Sequence, residues 1–100
     1  MGVVMSNWYF DKNGEYWRDI GKDCICFEGF IKDERYVFAV SCIALNDYYE
    51  TPDTPDDALK NYEENSNHVE TIAERYADEF EANEESPHYF IDSNDFNRLA

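Results

Sequence analysis

Between Thr54 and Asn83 apolar side chains recur at three- and four-residue steps: Leu59, Tyr62, Val69, Ile72, Ala73, Tyr76 and Phe80. That is the spacing of one helical face, and it commits the rest of the chain to covering it. The spacing predicts one long helix or two abutting ones. Thr54 is placed to cap the start, and Pro55 takes the first helical position, where its missing N–H costs nothing. Asp56 and Asp57 then sit at the positive end of the helix dipole. Asn65, Ser66 and Asn67 are poor helix formers in a row, and Asn67 with Glu70 resembles a second capping box. A break near 65–67 is therefore the alternative to a continuous helix. Glu84 to Pro87 should end the segment.

Upstream, the pattern is that of strands. Val3 to Phe10 has strand composition, and Asn13-Gly14 after it is a strong hairpin signal. Tyr16 and Trp17 would continue the returning strand or pack over its edge. Asp11, Asn13 and Glu15 imitate an EF-hand loop, but Tyr16 and Lys22 stand where that loop needs a glycine and a bidentate glutamate. Asp23 to Ile31 is a second strand, with apolar residues on both faces and Gly29 as a candidate bulge. Lys32 to Arg35 is a polar turn. Tyr36 to Ser41 alternates clearly, and its short connection to the preceding strand makes the two antiparallel. Ser41 can cap a short helix, Cys42 to Tyr49, presenting Ile43, Ala44 and Leu45. His88 to Ile91 reads as a last strand, followed by a capped helical turn from Asp92 to Phe96. The expected fold class is α+β: an antiparallel sheet of three to four strands against one long, acidic helix, continuous or broken, and a short helix.

One hundred residues make a single domain, 1–100, with one core. Apolar content of 43% and aromatic content of 17% argue against a disordered acidic tail. The formal charge of −15 argues against direct binding to nucleic acid or to an anionic membrane, because both demand Lys and Arg. A basic protein or nucleoprotein is the matching partner, with a homodimer as a further expectation. No apolar run reaches membrane-spanning length, and Met1 to Met5 lacks a signal-peptide core, so the expected compartment is the cytoplasm.

Chemistry is sparse. Cys24, Cys26 and Cys42 are an odd set without disulfide-framework spacing. Zinc could draw on them with His68 or His88, yet the two-residue gap of ribbons and fingers is missing. They read as buried or half-buried free thiols, and the sequence implies neither metal nor cofactor. Neither histidine has a sequence-local nucleophile, and acids are too numerous for any pair to stand out. There is no nucleophile elbow and no Gly-rich loop, so a non-enzymatic protein is expected.

The order of strand, capping "AVS", "AL" helix, long helix, aromatic strand and "DF" resembles the small bacterial family designated domain of unknown function 1488. The resemblance rests on Phe27, Phe38, Val40, Ser41, Ala44, Leu45, Tyr62, Val69, Ala73, Tyr76, Tyr89, Ile91, Asp95 and Phe96, across residues 8 to 96. Two positions depart from the family pattern. Ile43 replaces a usual Glu, and Asn65-Ser66 replaces a His-Arg pair. The resemblance implies a compact α+β fold and no chemistry.

Charge is therefore the one feature that points to a function. Glu63, Glu64, Glu70, Glu74, Asp78, Glu79, Glu81, Glu84 and Glu85 are relieved locally only by Arg75, and Asp47, Glu50, Asp53, Asp56 and Asp57 extend the field. On one helix these nine acids would span roughly 33 Å, about one charge per 3.7 Å. One DNA strand carries a charge per about 3.4 Å of duplex axis. A solvated face on an ordinary acidic protein is the plain interpretation. The sharper one is a nucleic-acid mimic that occupies a basic groove, similar in size and composition to phage-encoded anti-CRISPR and anti-restriction proteins. Tyr48, Tyr49, Trp8 and Trp17 would supply its aromatic contacts. The alternative is a small bacterial regulatory or structural domain acting through protein–protein contacts.

Overall fold

The computed structural model describes residues 8–11 and 14–100. The strands are β1 (Tyr16–Asp19), β2 (Cys24–Ile31), β3 (Glu34–Ser41) and β4 (Tyr89–Ile91). The helices are α1 (Cys42–Tyr48), α2 (Pro55–Glu64), α3 (Ser66–Glu79) and α4 (Ser93–Leu99). The α+β expectation holds, and two of its particulars need correction.

First, the four-stranded sheet is mixed, in the order β1-β2-β3-β4. β1, β2 and β3 are antiparallel neighbours, while β4 runs parallel to β3. Three helices intervene between β3 and β4, and this long crossover returns the chain to the same end of the sheet. Second, the long helix is two helices. Asn65 closes α2 and opens α3 with φ −126° and ψ 28°, outside helical geometry. Its side chain donates to Asn61 O at 2.9 Å instead of capping α3. The break thus falls just before the Asn67–Glu70 pattern. α3 ends at Glu79, short of the predicted stop, because Phe80 is already extended.

The caps follow the sequence. Ser41 Oγ accepts from Ala44 N, Thr54 Oγ1 from Asp57 N and Asp92 Oδ1 from Asp95 N. The turn Lys32-Asp33 lacks Asn-Gly but places both residues at positive φ, 52° and 66°, as a two-residue primed hairpin turn requires.

The N-terminal hairpin is different from its expectation. Val3 to Asn7 and Asn13 lie outside the described residues. Gly14 N donates to Asp11 O at 2.8 Å, so the chain does turn there. Both flanks of the turn, however, pair with β2: Tyr9 exchanges two backbone hydrogen bonds with Phe30, and Tyr16 pairs with Phe27. Tyr9 and Tyr16 thus belong to one interrupted edge beside β2 and are not cross-strand partners of each other.

Register assigns the faces of the sheet. Tyr16, Phe27, Phe38 and Tyr89 stand opposite one another across all four strands. Phe27 stacks on Phe38 (centroids 5.6 Å) and Phe38 on Tyr89 (4.8 Å). Ile25, Val40 and Ile91 share the core with this row, and Ala44, Leu45, Ala58, Tyr62, Val69, Ile72, Ala73 and Phe96 close it from the helices. The predicted stripe is inside at Tyr62, Val69, Ile72 and Ala73, but Phe80 is exposed and Ala58 takes the position expected for Leu59. The other sheet face carries a smaller buried cluster, Cys24, Cys26, Val37 and Ala39, with Trp17 and Phe90 packed against it.

Gly29 is not a bulge, since the ladder runs through it to Tyr36. A Cβ there would come within 2.7 Å of both the Phe10 and the Phe38 rings. Gly29→Ala should therefore lower stability by roughly 1–3 kcal/mol through overpacking, read as a lower urea midpoint. An unchanged midpoint would show that the rings do not depend on that bare backbone.

Candidate functional site

α3 buries Val69, Ile72 and Ala73 against the sheet, which fixes where its polar residues point. At about 100° per residue, Glu70, Glu74 and Asp78 form one ridge of four-residue steps that drifts about 40° per step onto the outward face, and Arg75 and Glu79 lie beyond it on the other side. Contacts agree with that geometry. Arg75 Nη1 donates to Leu99 O at the end of α4, and Arg98 bridges Glu79 (2.9 Å) and Asp95 (3.0 Å). Among the described residues, Arg75 and Arg98 are both engaged on the flank towards α4, and Glu79 is paired there.

On the opposite flank, Glu70 joins Glu63, Asp11, Tyr16, Tyr62 and Ser66 around a cleft of about 280 Å³. Tyr16 reaches it from the edge strand and donates its hydroxyl to Glu63 Oε2. That bond raises the Tyr16 pKa, because ionising the phenol would set two anions together. Tyr62 is raised chiefly by burial, with the Glu70 charge adding to it. Glu63, Glu70, Glu74 and Asp78 therefore form a strip running from the β1 edge along α3.

The other predicted acids do not extend this strip as one line. Glu64 is exposed at the end of α2, and Glu81, Glu84 and Glu85 follow α3 on non-helical chain. Asp47, Glu50, Asp53, Asp56 and Asp57 gather at the α1–α2 connection, at the far end of a ten-residue helix about 15 Å long. Asp53 there accepts from buried Asn46, and Asp57 from the Thr54 hydroxyl. Asn46 also donates to Thr54 O and accepts from Thr51 and Asn61, so both its donors and both lone pairs are used. The continuous 33 Å row is consequently broken into separate groups by the turn at Asn65 and the early end of α3.

The aromatic candidates divide. Trp8 is half-buried and packs on Phe38 (5.0 Å), Tyr36 (5.5 Å) and Tyr89 (6.0 Å). Trp17 is half-buried against the cysteine face. Tyr48 is exposed, whereas Tyr49 is half-buried and shares a 2.7 Å hydrogen bond with His68 Nδ1. Both histidines are engaged: His88 Nδ1 accepts from Val37 N.

All three cysteines are buried free thiols. Cys42 packs in the main core, where burial pushes its thiol up to about 12. Cys24 and Cys26 lie on the other face, with Sγ atoms 3.8 Å apart. Their hydrogen bond holds the proton on Cys24 and lowers Cys26. Asp19 stands opposite Cys24, and its carboxylate lies within 4.8 Å of both sulfurs. Sequence reasoning missed Asp19 because only the hairpin register brings it beside the thiols.

Comparison with protein-family models, curated proteins and solved structures gives no match for the chain. Among the described residues no helix is long and apolar enough to cross a membrane.

Burial also raises Tyr49 to about 12. An unfolded tyrosine loses its proton near pH 10, so between pH 10 and 12 the native state binds more protons than the unfolded one. Stability contributed by Tyr49 is complete below pH 10 and lost as pH rises towards 12; Cys42 adds a loss in the same direction. Urea midpoints measured from pH 8 to 12 should fall most steeply in that interval, and Tyr49→Phe should flatten the fall. A slope untouched by that substitution would exclude Tyr49 as a contributor.

Proposed function

We propose that the protein is a non-enzymatic acidic binding protein whose strip Glu63–Glu70–Glu74–Asp78 enters the basic groove of a nucleic-acid-binding protein and blocks it. The observation that carries this is the segregation of charge on α3: carboxylates at four-residue steps on one flank, Arg75 and Arg98 engaged on the other. Repulsion along that row works against the fold. Each like-charge pair four residues apart costs about 0.2–0.5 kcal/mol. Steering onto Lys and Arg gives the row a use.

The step of four residues is about 6 Å, wider than the charge spacing of a DNA strand. The reading is therefore an anionic strip matched to a basic groove, rather than a copy of a duplex backbone. Kinship with domain of unknown function 1488 belongs to the same proposal and brings no activity to it. A regulatory or structural domain that pairs through its sheet edge, as a homodimer or with another protein, is the second reading. Tyr9 at 61% exposure and Ile20 at 77%, both beside β1, favour it.

Anti-restriction and anti-CRISPR action make one test. Displacement of fluorescent DNA from a purified restriction endonuclease and from an RNA-guided nuclease is measured across salt concentrations. The wild type should displace DNA at low salt and lose affinity steeply as salt rises. The triple variant Glu70→Gln, Glu74→Gln, Asp78→Asn should displace less DNA at low salt and lose affinity less steeply as salt rises. No displacement from either enzyme, or equal action by the triple variant, rejects the groove-blocking reading.

A further inference from the structure

We propose that Asp19, Cys24 and Cys26 form a binding site for a thiophilic d10 divalent cation, zinc above all. The site is built by the β1–β2 hairpin. Cys24 and Cys26, two residues apart on β2, project from the same face. Asp19 is the register partner of Cys24, so its side chain stands on that face too.

The distances suit the metal. Two sulfurs each about 2.3 Å from a tetrahedral centre lie about 3.8 Å apart. Cys24 and Cys26 Sγ are separated by 3.8 Å. The Asp19 carboxylate lies within 4.8 Å of both and needs to close by only about 1 Å to reach a shared centre, given zinc–oxygen bonds of about 2.0–2.2 Å. The carboxylate is already oriented, because Asp19 Oδ1 accepts from Lys22 N in the hairpin turn at 3.1 Å. Such outer support is what holds ligands in place in metal sites.

Selectivity follows from the donors. Two thiolates and one carboxylate are a soft-leaning set that suits zinc or cadmium and disfavours magnesium and calcium. Three protein ligands leave a fourth position to water or another donor. Both thiols give up their protons to solvent as the metal–sulfur bonds form, and no oxidant or reductant takes part. The cysteine pair is well buried, while Asp19 is half-buried beside the exposed Ile20–Asp23 turn, which gives the ion its entry. Cys42, the first residue of α1, is not among the three whose ligand atoms gather within 4.8 Å of one another.

The test uses the full chain, reduced and metal-free. Cadmium titration should produce a thiolate-to-cadmium charge-transfer band that saturates at one ion per chain. Zinc should suppress the band and raise the melting temperature. Trp17, the register partner of Cys26, should report binding as a change in fluorescence. Asp19→Asn should weaken affinity by at least roughly tenfold, and Cys26→Ser should abolish the band. Cys42→Ser should leave it intact. Because Cys26→Ser alters a buried position, alkylation of the wild type gives an independent reading: zinc should protect Cys24 and Cys26 and leave Cys42 unaffected. No band, a band that survives Cys26→Ser, affinity unchanged by Asp19→Asn, or no zinc protection would each overturn the site.

Discussion

The structure depends on a lateral row of rings. Tyr16, Phe27, Phe38 and Tyr89 come from four different strands, and only their register brings them side by side. Each fully buried Phe contributes about 1.5–3 kcal/mol by leaving water, and each well-placed aromatic pair about 0.5–1.5 kcal/mol more. Tyr62 of α2 stacks on Phe27 at 5.1 Å, and Trp8 meets Phe38 edge-on at 5.0 Å. The row thus ties the edge strand, the central strands, the parallel β4 and the helical layer to one line of contacts. Gly29 is bare because Phe38 of the row and the neighbouring Phe10 need its space.

The same row explains the topology. Tyr89 must stand beside Phe38 to complete it, and the chain arrives there only after three helices have crossed the sheet. Val37 O accepts from His88 N while Val37 N donates to His88 Nδ1, which docks the start of β4 against β3 from both sides of the peptide. The bend at Asn65 serves the same end. A straight helix from Pro55 to Glu79 would be about 37 Å long, and no helix of that length lies flat on strands of eight residues, about 26 Å. Breaking it lets Tyr62 pack towards Phe27 and Tyr76 towards Tyr89.

Local physics was legible in the chain, and long-range pairing was not. Ser41, Thr54 and Asp92 cap helices as their types and positions imply, because capping needs only residues within one turn. Tyr62, Val69, Ile72 and Ala73 are buried as helical spacing demands. Ala58 and Asn61 escaped notice: a small residue and an amide carry no apolar signal, yet both line the inner side of α2. The direction of β4 was illegible, since a three-residue strand has no internal pattern that distinguishes parallel from antiparallel. The pairing of the chain on either side of Asn13-Gly14 was illegible for a related reason. An Asn-Gly pair speaks only for a local reversal, and the partner of Tyr9 and Tyr16 is set by β2. Of the acidic field, Glu63, Glu64 and Asp78 are exposed while Glu70, Glu74 and Asp57 are half-buried, and the sides on which Arg75 and Arg98 lie depend on α4, which is remote in sequence. Asp19 joins Cys24 and Cys26 through register alone.

The charge follows from this division of labour. The rings supply stability from the inside, so the surface is released from supplying any. Two like-charge steps along Glu70, Glu74 and Asp78 cost about 0.4–1 kcal/mol together, less than one buried Phe contributes. Self-repulsion from a net −15 is a wider penalty, but salt screens it beyond about 10 Å. A chain that needed only solubility could scatter its acids and interleave lysines at no loss. Here the arginines of α3 and α4 are spent on Leu99 O, Glu79 and Asp95, where they join one helix to the other, and the opposite flank keeps its carboxylates. Placing these arginines where they pack the fold leaves Glu70, Glu74 and Asp78 along the remaining side of α3, and a surface rich in one sign gains most when a partner of the other sign covers it.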